Sequence, residues 1–234
     1  MPAEKDSATS SLLSHITYLK EAYCICDIRL LIFDYDGTLT PIVQDPAMAK
    51  LPLHVHVLLK KLASDRKNKV WIISGRDKEF LEREFDPCPN LGLAAEHGAF
   101  FREPSSSVWN STIAIPEMDW RMEAAPMLAG LSQLLPNTWI ETKASGLVWH
   151  FRGNELEGDI IAPAALRLVE SRARRNDWPV QVMGGKCVLE VRAKAVNKGT
   201  IVALILSTAK HGRGSDPTSM FVLCAGDDRT DEGE

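Results

Sequence analysis

A short apolar run that ends in two acids constrains the fold of this chain more than any other feature. Leu30–Phe33 are four consecutive apolar residues, and Asp34 and Asp36 follow at once. Such a run predicts a strand that is buried on both faces. Two carboxylates so close together add no stability to a buried strand, because like charges repel unless a cation or a proton lies between them. An Asp-Gly pair also suits a turn or a helix cap, but a cap needs no second acid. We therefore interpret Asp34 and Asp36 as residues with a chemical rather than a structural role.

Composition excludes several classes of protein. The chain has 234 residues, of which 45% are hydrophobic, so it can bury a core. The formal net charge of -4 comes with no dense basic run, which argues against a nucleic-acid partner. We find no apolar stretch of the ~20 residues that a membrane span needs, and no signal peptide, so we expect no membrane partner and a cytoplasmic location. The five cysteines are scattered and odd in number, which predicts reduced thiols.

The plan of a strand, a polar tip and a helix recurs along the chain. Further apolar runs cover residues 70–73, 91–95 and 220–225, and helices are predicted at 53–63, 77–85 and 197–209. The tips are Ser74-Gly75-Arg76, Glu96-His97-Gly98 and Gly226-Asp227-Asp228. This alternation predicts an α/β fold with a Rossmann-like parallel sheet, in which all the tips face one crevice at the carboxyl ends of the strands.

A different plan begins after the third tip. Residues 104–110 read as a loop, and then helices at 119–135 and 160–175 alternate with strand pairs at 138–152 and 180–191, the last around Gly184-Gly185. This order predicts an inserted α+β lobe with an antiparallel sheet. We therefore divide the chain into a core of residues 1–117 and 193–234 and an inserted domain of residues 118–192.

The charges at the tips indicate phosphate chemistry. Lys198 lies in the first turn of a predicted helix, where a cation opposes the helix dipole, so an anion bound nearby explains it better. Several carboxylates at one edge of a sheet imply a hard divalent cation, and Mg²⁺ is the first choice beside phosphate. Ser74 fits either a phosphate ligand or the N-cap of the next helix.

These motifs, in this order, resemble those of the haloacid dehalogenase superfamily of phosphatases. The motifs are Asp34-x-Asp36-Gly37-Thr38, Ser74, Lys198 and Gly226-Asp227-Asp228. Within that superfamily, Ile73-Ser74-Gly75-Arg76, Ala95-Glu96-His97-Gly98 and Asn197-Lys198-Gly199 resemble trehalose-6-phosphate phosphatases, the fungal type among them. The resemblance covers about residues 30 to 232. It implies a core of the haloacid dehalogenase type with the inserted lobe as its cap domain.

The resemblance also implies roles for single residues. Asp34 is expected to be the nucleophile that takes the phosphoryl group, Asp36 to carry the proton, and Ser74 and Lys198 to hold the phosphate. The expected ligands of Mg²⁺ are Asp34, Asp36 through its main-chain carbonyl, Asp227 and Asp228, with Asp231 in support. The expected substrate-binding residues are Gly75, Arg76, His97, Gly98, Glu141, Lys143, Glu190 and Arg229.

Several alternatives stay open at this point. Glu141 and Lys143 share a strand face, so a salt bridge between them is as good an interpretation as sugar binding. The substrate could be another sugar phosphate, such as sucrose phosphate, the enzyme could be a transferase or mutase, or the chain could be a silent regulatory module of a trehalose-synthesis complex. A trehalose-phosphate synthase domain or subunit is a further expected partner. Proteins of this family usually continue past Glu232 with a helix and a further strand, whereas this chain stops at Glu234, so a shortened chain and a differently built sheet edge both fit.

Overall fold

The computed structural model describes residues 12–43, 48–113, 119–211 and 219–227. The helices are α1 (Ile16–Ile25), α2 (Leu53–Ser64), α3 (Lys78–Phe85), α4 (Arg121–Leu134), α5 (Glu155–Arg175) and α6 (Lys198–His211). The strands are β1 (Ile28–Asp34), β2 (Asn68–Ile73), β3 (Gly92–Ala95), β4 (Phe100–Arg102), β5 (Trp109–Ser111), β6 (Trp139–Thr142), β7 (Gly146–His150), β8 (Val180–Gly185), β9 (Val188–Ala193) and β10 (Met220–Ala225). Among the helices of these described ranges, none is both long and apolar enough to cross a bilayer.

The first sheet is built around β1, as the apolar run predicts. Its strand order is β10-β1-β2-β3-β4-β5, and the first four strands in that order run parallel. Alternate side chains of β1 enter two different cores: Leu31 packs with residues of α2 and α3, whereas Leu30 and Ile32 pack with Ile201 and Ile205 of α6. The strand is therefore covered on both faces, and its carboxyl end carries Asp34 to the edge of the sheet.

Two short antiparallel strands extend this sheet beyond β3, which the sequence interpretation missed. β4 pairs with β3, and β5 pairs with β4, both antiparallel. The prediction of a loop at 104–110 is wrong at its carboxyl end, because Trp109 and Asn110 belong to β5. Each strand has three residues, which is too short for an alternation of apolar and polar residues to stand out.

The second sheet is antiparallel, as the helix and hairpin pattern predicts. Its order is β6-β7-β9-β8. One face carries α4 and α5, and the core between them includes Trp120, Trp149 and Phe151, all nearly fully buried. The β8–β9 turn lies at Lys186 and Cys187 rather than at Gly184-Gly185, which end β8. The division of the chain at residues 118 and 192 stays a prediction.

Candidate active site

Asp34 and Lys198 meet at the carboxyl end of β1. Asp34 is the last residue of β1, Lys198 is the first residue of α6, and Lys198 Nζ lies 3.2 Å from Asp34 Oδ1. Both side chains are mostly buried, with 18% of Lys198 and 11% of Asp34 exposed. The carboxylate compensates the cation that the helix dipole disfavours. The structure thus brings the predicted nucleophile and the predicted phosphate-binding lysine together.

Asp36 is held by Arg76 from the tip of β2. Arg76 Nε donates to Asp36 Oδ2 at 2.8 Å, and Arg76 Nη2 donates to Asp36 Oδ1 at 2.6 Å. This two-bond geometry fixes the orientation of a carboxylate as well as its position. The guanidinium also lies 4.6 Å from the centre of the Phe80 ring. Arg76, predicted to bind substrate, therefore contacts the predicted proton carrier in this structure.

Gly37 lets Asp227 approach the β1 loop. Gly37 has φ +82°, and a Cβ atom there would lie 2.0 Å from Asp227 Oδ2. Since β1 and β10 are parallel neighbours with Phe33 beside Ala225, Asp34 at the end of β1 and Asp227 just after β10 lie at the same edge of the sheet. In the part of the chain that the structure describes, no group of three or more acidic, histidine or cysteine side chains is arranged around a metal position. Two carboxylates nevertheless fit a hard cation such as Mg²⁺, which uses one or two carboxylates and keeps several waters.

The remaining predicted acids of this tip lie outside the described residues. Residues 228–234 lie outside the described ranges. They include Asp228 and Asp231, predicted to support the metal, and Arg229, predicted to bind substrate.

Ser74 is not the N-cap of α3, so that alternative is wrong. Asp77 is the N-cap, and its side chain accepts a hydrogen bond of 2.7 Å from Phe80 N. Ser74 is buried, with 1% exposed, and its Oγ accepts from Arg76 N at 3.2 Å. Because a hydroxyl that accepts one bond still has its own proton to donate, Ser74 remains suited to contact an anion at the tip of β2.

His97 packs tightly against Gly75 after β2, and Gly98 packs against Ile201 of α6. His97 has φ 57°, and its Nε2 would lie 2.7 Å from a Cβ atom added at Gly75. Burial and then the positive charges of Arg192, Lys143 and Lys198 hold the pKa of His97 well below its usual range. The imidazole is therefore neutral, and its 3.8 Å approach to Glu190 Oε1 is not an ion pair.

The predicted sugar-binding residues face this edge from the second sheet, and they do not pair as the salt-bridge alternative requires. Glu141 Oε2 lies 2.8 Å from His150 Nε2, a hydrogen bond that lowers the pKa of Glu141 despite the opposing effect of burial. Lys143 Nζ donates instead to the main-chain oxygen of Gly75 at 3.0 Å. Lys143 therefore contacts the core at the segment after β2, whereas Glu141 contacts a residue of its own sheet.

Two cavities lie between the two sheets. A cavity of about 530 Å³ is lined by residues of β8, β9 and the start of α6, among them Glu190, Arg192 and Lys198, and by His97 from the segment between β3 and β4. A second cavity of about 350 Å³ includes Asp36, Arg76, Glu141 and Lys143 in its lining. Groups from the core therefore face groups from the second sheet across both cavities.

Three residues near the site were not predicted. Arg192 lines the larger cavity, and its side chain is 12% exposed. His150 is the partner of Glu141, and Glu96 joins the two sheets through its carboxylate. Arg192 is two residues from Glu190 on β9, so the period of a strand could have indicated a shared face. Glu96 belongs to the predicted tip Glu96-His97-Gly98, but no role was predicted for it from the sequence.

This fold and this site define a phosphatase core of the haloacid dehalogenase type with a cap domain. A family model described as Trehalose-phosphatase matches residues 32–234. The chain is 40% identical to a trehalose-phosphatase of Schizosaccharomyces pombe, over 87% of this chain and 24% of that protein. It is 38% identical to a trehalose-phosphatase of Saccharomyces cerevisiae, over 92% of this chain and 25% of that protein. The chain thus spans about a quarter of the length of these curated relatives.

The solved structures agree with the sequence comparison. The C-terminal domain of a trehalose-6-phosphate phosphatase of C. albicans superposes with a TM-score of 0.80 at 38% identity, covering 92% of this chain and 75% of that one. The chain belongs to the trehalose-phosphatase family.

Proposed function

We propose that this chain hydrolyses trehalose 6-phosphate to trehalose and phosphate through an aspartyl phosphate on Asp34, with Mg²⁺ as the cofactor. The main support is the 3.2 Å contact between Asp34 and Lys198 at the tip of a buried strand. A carboxylate in that position can attack a phosphorus atom while the ammonium group attracts the phosphate oxygens.

The reaction has two halves in which the proton returns to its starting point. Asp34 Oδ forms a bond to phosphorus, the ester bond from phosphorus to the sugar oxygen breaks, and Asp36 gives its proton to that oxygen. Asp36 then removes a proton from a water molecule whose oxygen attacks the aspartyl phosphate, which frees Asp34 and inorganic phosphate. Arg76 donates one hydrogen bond to each oxygen of Asp36 in this structure, which orients the carboxylate and leaves a second lone pair on each oxygen for proton transfer.

Asp34, Asp227 and the main-chain carbonyl of Asp36 would hold the cation, with Asp228 in support. When bound, Mg²⁺ neutralises the phosphate and the neighbouring carboxylates, so that an anionic nucleophile can approach an anionic substrate.

Sugar recognition falls to the second sheet in this proposal. Glu141, Lys143 and Glu190 offer charged hydrogen-bonding groups toward the two cavities, and His97 and Gly75 line them from the core. Gly98, also expected to bind substrate, follows His97 directly. A phosphatase of another sugar phosphate would share the Asp34 chemistry and differ here. A silent regulatory module is disfavoured by the intact Asp34–Lys198 pair. A cytoplasmic location and an association with a trehalose-phosphate synthase domain or subunit stay predictions.

The decisive experiment compares two substitutions of the same kind. Phosphate release from trehalose 6-phosphate with Mg²⁺ should be abolished by Asp34→Asn, because an amide is a poor nucleophile, and unchanged by Asp86→Asn on the exposed end of α3. Sucrose 6-phosphate in parallel separates the two sugar-phosphate hypotheses. Activity that persists in Asp34→Asn would exclude the covalent mechanism, and an inactive wild-type chain would favour the regulatory module.

A further inference from the structure

A buried carboxylate of the core holds a turn of the second sheet. Glu96 follows β3 directly and is 3% exposed. Its Oε2 accepts hydrogen bonds from Ser145 N at 2.7 Å and from Ser145 Oγ at 2.6 Å, and its Oε1 accepts from Ala144 N at 3.3 Å. Both donor residues lie in the turn between β6 and β7. Three donors on one buried carboxylate make a directional, charge-assisted attachment between the two sheets.

The same turn carries the predicted sugar-binding lysine. Lys143 precedes Ala144, and its Nζ reaches the main-chain oxygen of Gly75 in the core at 3.0 Å. Arg121 Nη1 also donates to the main-chain oxygens of Lys143 and Ala144, each at 3.1 Å. The position of the turn relative to the core is therefore set by Glu96 on one side and by Gly75 on the other.

The backbone at Glu96 is unfavourable unless neighbouring contacts hold it. Glu96 has φ 47° and His97 has φ 57°, so two successive residues that are not glycine adopt the left-handed region. Such conformations persist where the surrounding structure determines them. Here Glu96 N donates to Arg76 O and His97 N donates to Ser74 O, both at 2.8 Å. Glu96 is thus linked by its main chain to the Ser74–Arg76 loop and by its side chain to the second sheet.

We propose that Glu96 is a positioning residue that docks the β6–β7 turn onto the core and so selects substrates that contact both sheets. The inference rests on the proposed function. A small phosphate ester needs the core groups Asp34, Lys198 and Asp36 alone, whereas a disaccharide phosphate also needs Lys143 and Glu141 at a fixed distance from Asp34. Loss of the attachment should therefore harm the large substrate and spare the small one.

Two variants remove the attachment without removing any group that contacts substrate. Glu96→Gln keeps the size of the side chain but presents an NH₂ group to donors, and Ser145→Ala removes the shortest of the three bonds. Glu123→Gln is the matched control, because Glu123 accepts hydrogen bonds from Arg172 and Asn176, which both lie in the inserted domain.

The first readout is hydrogen exchange of the Ala144 and Ser145 amides, which reports docking without any substrate. In Glu96→Gln we expect exchange about tenfold faster or more, because an NH₂ group replaces one of the two accepting oxygens and the other bond loses its charged acceptor. The second readout is kcat/KM for trehalose 6-phosphate, which should fall about 10- to 100-fold in Glu96→Gln, while kcat/KM for p-nitrophenyl phosphate stays within about twofold. Ser145→Ala should show the same pattern with a smaller loss, and Glu123→Gln should match the wild type in both readouts.

The experiments distinguish a failure of the role proposed for Glu96 from a failure of the proposed hydrolase function. Unchanged amide exchange in both variants, or an equal loss on both substrates, excludes a positioning role for Glu96 while the hydrolysis of trehalose 6-phosphate stands. If Glu96→Gln does not fold, Ser145→Ala decides by the same criteria. A wild-type chain that does not hydrolyse trehalose 6-phosphate overturns the proposed function and the substrate selection by Glu96, and faster amide exchange then supports docking alone.

Discussion

Gly37 offers the sharpest test of how Asp227 is placed beside the β1 loop. In Gly37→Ala the new Cβ would lie 2.0 Å from Asp227 Oδ2 and 2.4 Å from Asp227 Cγ. Asp227 is exposed, so its carboxylate can rotate away and relieve the overlap. The carboxylate then leaves the position that would hold a cation together with Asp34. The variant should therefore lose affinity for Mg²⁺ more than it loses stability.

The size of each effect follows from the local geometry. The φ of +82° at Gly37 costs an alanine about 1–2 kcal/mol, because its Cβ approaches the following carbonyl in the left-handed region. For a chain of this size that cost lowers the melting temperature by roughly 2–8 °C. Displacement of a carboxylate ligand should weaken Mg²⁺ binding by at least about 10- to 100-fold, the range known even for residues that only support a ligand.

Two further variants separate the strain from the overlap. Gly37→Asn also adds a Cβ, but asparagine tolerates positive φ, so it should melt closer to the wild type and still lose Mg²⁺ affinity. Gly130→Ala lies inside α4 with nothing within 4 Å of its new Cβ, and it should stabilise the protein by about 0.5–1 kcal/mol.

The assay is the rise in melting temperature with increasing Mg²⁺, which measures binding to the folded state and needs no substrate. The rise in Gly37→Ala and Gly37→Asn should require at least about tenfold more Mg²⁺ than in the wild type and in Gly130→Ala. An identical Mg²⁺ dependence in all four proteins would refute the placement of Asp227 and its part in metal binding.

Two other substitutions test His97 and Arg76. Because the pKa of His97 is held well below its ordinary 6.5 in the folded state, its contribution to stability is complete above pH 6.5 and is lost as the pH falls, when the unfolded chain takes up a proton. Asparagine tolerates positive φ, so His97→Asn is the variant of choice. Its free energy of unfolding in urea should fall less between pH 7.5 and 5.5 than that of the wild type. Equal falls in the two proteins would contradict a neutral imidazole in the folded state. Arg76→Lys should lower kcat/KM for trehalose 6-phosphate about tenfold or more, because a lysine cannot hold both oxygens of Asp36. The control Arg83→Lys, on the exposed side of α3, should leave kcat/KM unchanged. Equal kcat/KM values in the two variants would argue against ordering of Asp36 by Arg76.

Features that depend on one segment of sequence could be predicted, and β1 is the clearest example. Its apolar run and the acids after it gave the buried strand, the parallel neighbours and the edge at which the site lies. Lys198 could be predicted to have a distant anionic partner, because its charge conflicts with the local helix dipole. The structure supplies that partner as Asp34.

Features that depend on contacts between distant segments could not be predicted in the same way. Arg76 and Asp36 are 40 positions apart and Ser145 and Glu96 are 49 apart, so no local pattern reports either pair. The strands β4 and β5 escaped prediction for another reason, since a three-residue strand is defined by its neighbours in the sheet rather than by its own periodicity.

The two ion pairs at the end of β1 should respond differently when a phosphate binds. Lys198 touches one oxygen of Asp34, and an ammonium group has three donors, so it can keep that contact and also bind a phosphate oxygen. Arg76 engages both oxygens of Asp36, and each of these oxygens keeps one further lone pair for the ester oxygen. An arriving phosphate adds negative charge beside Arg76 and competes with Asp36 for the guanidinium. In the proposed mechanism, this competition would loosen the hold of Arg76 on Asp36, the expected proton carrier, when a substrate binds.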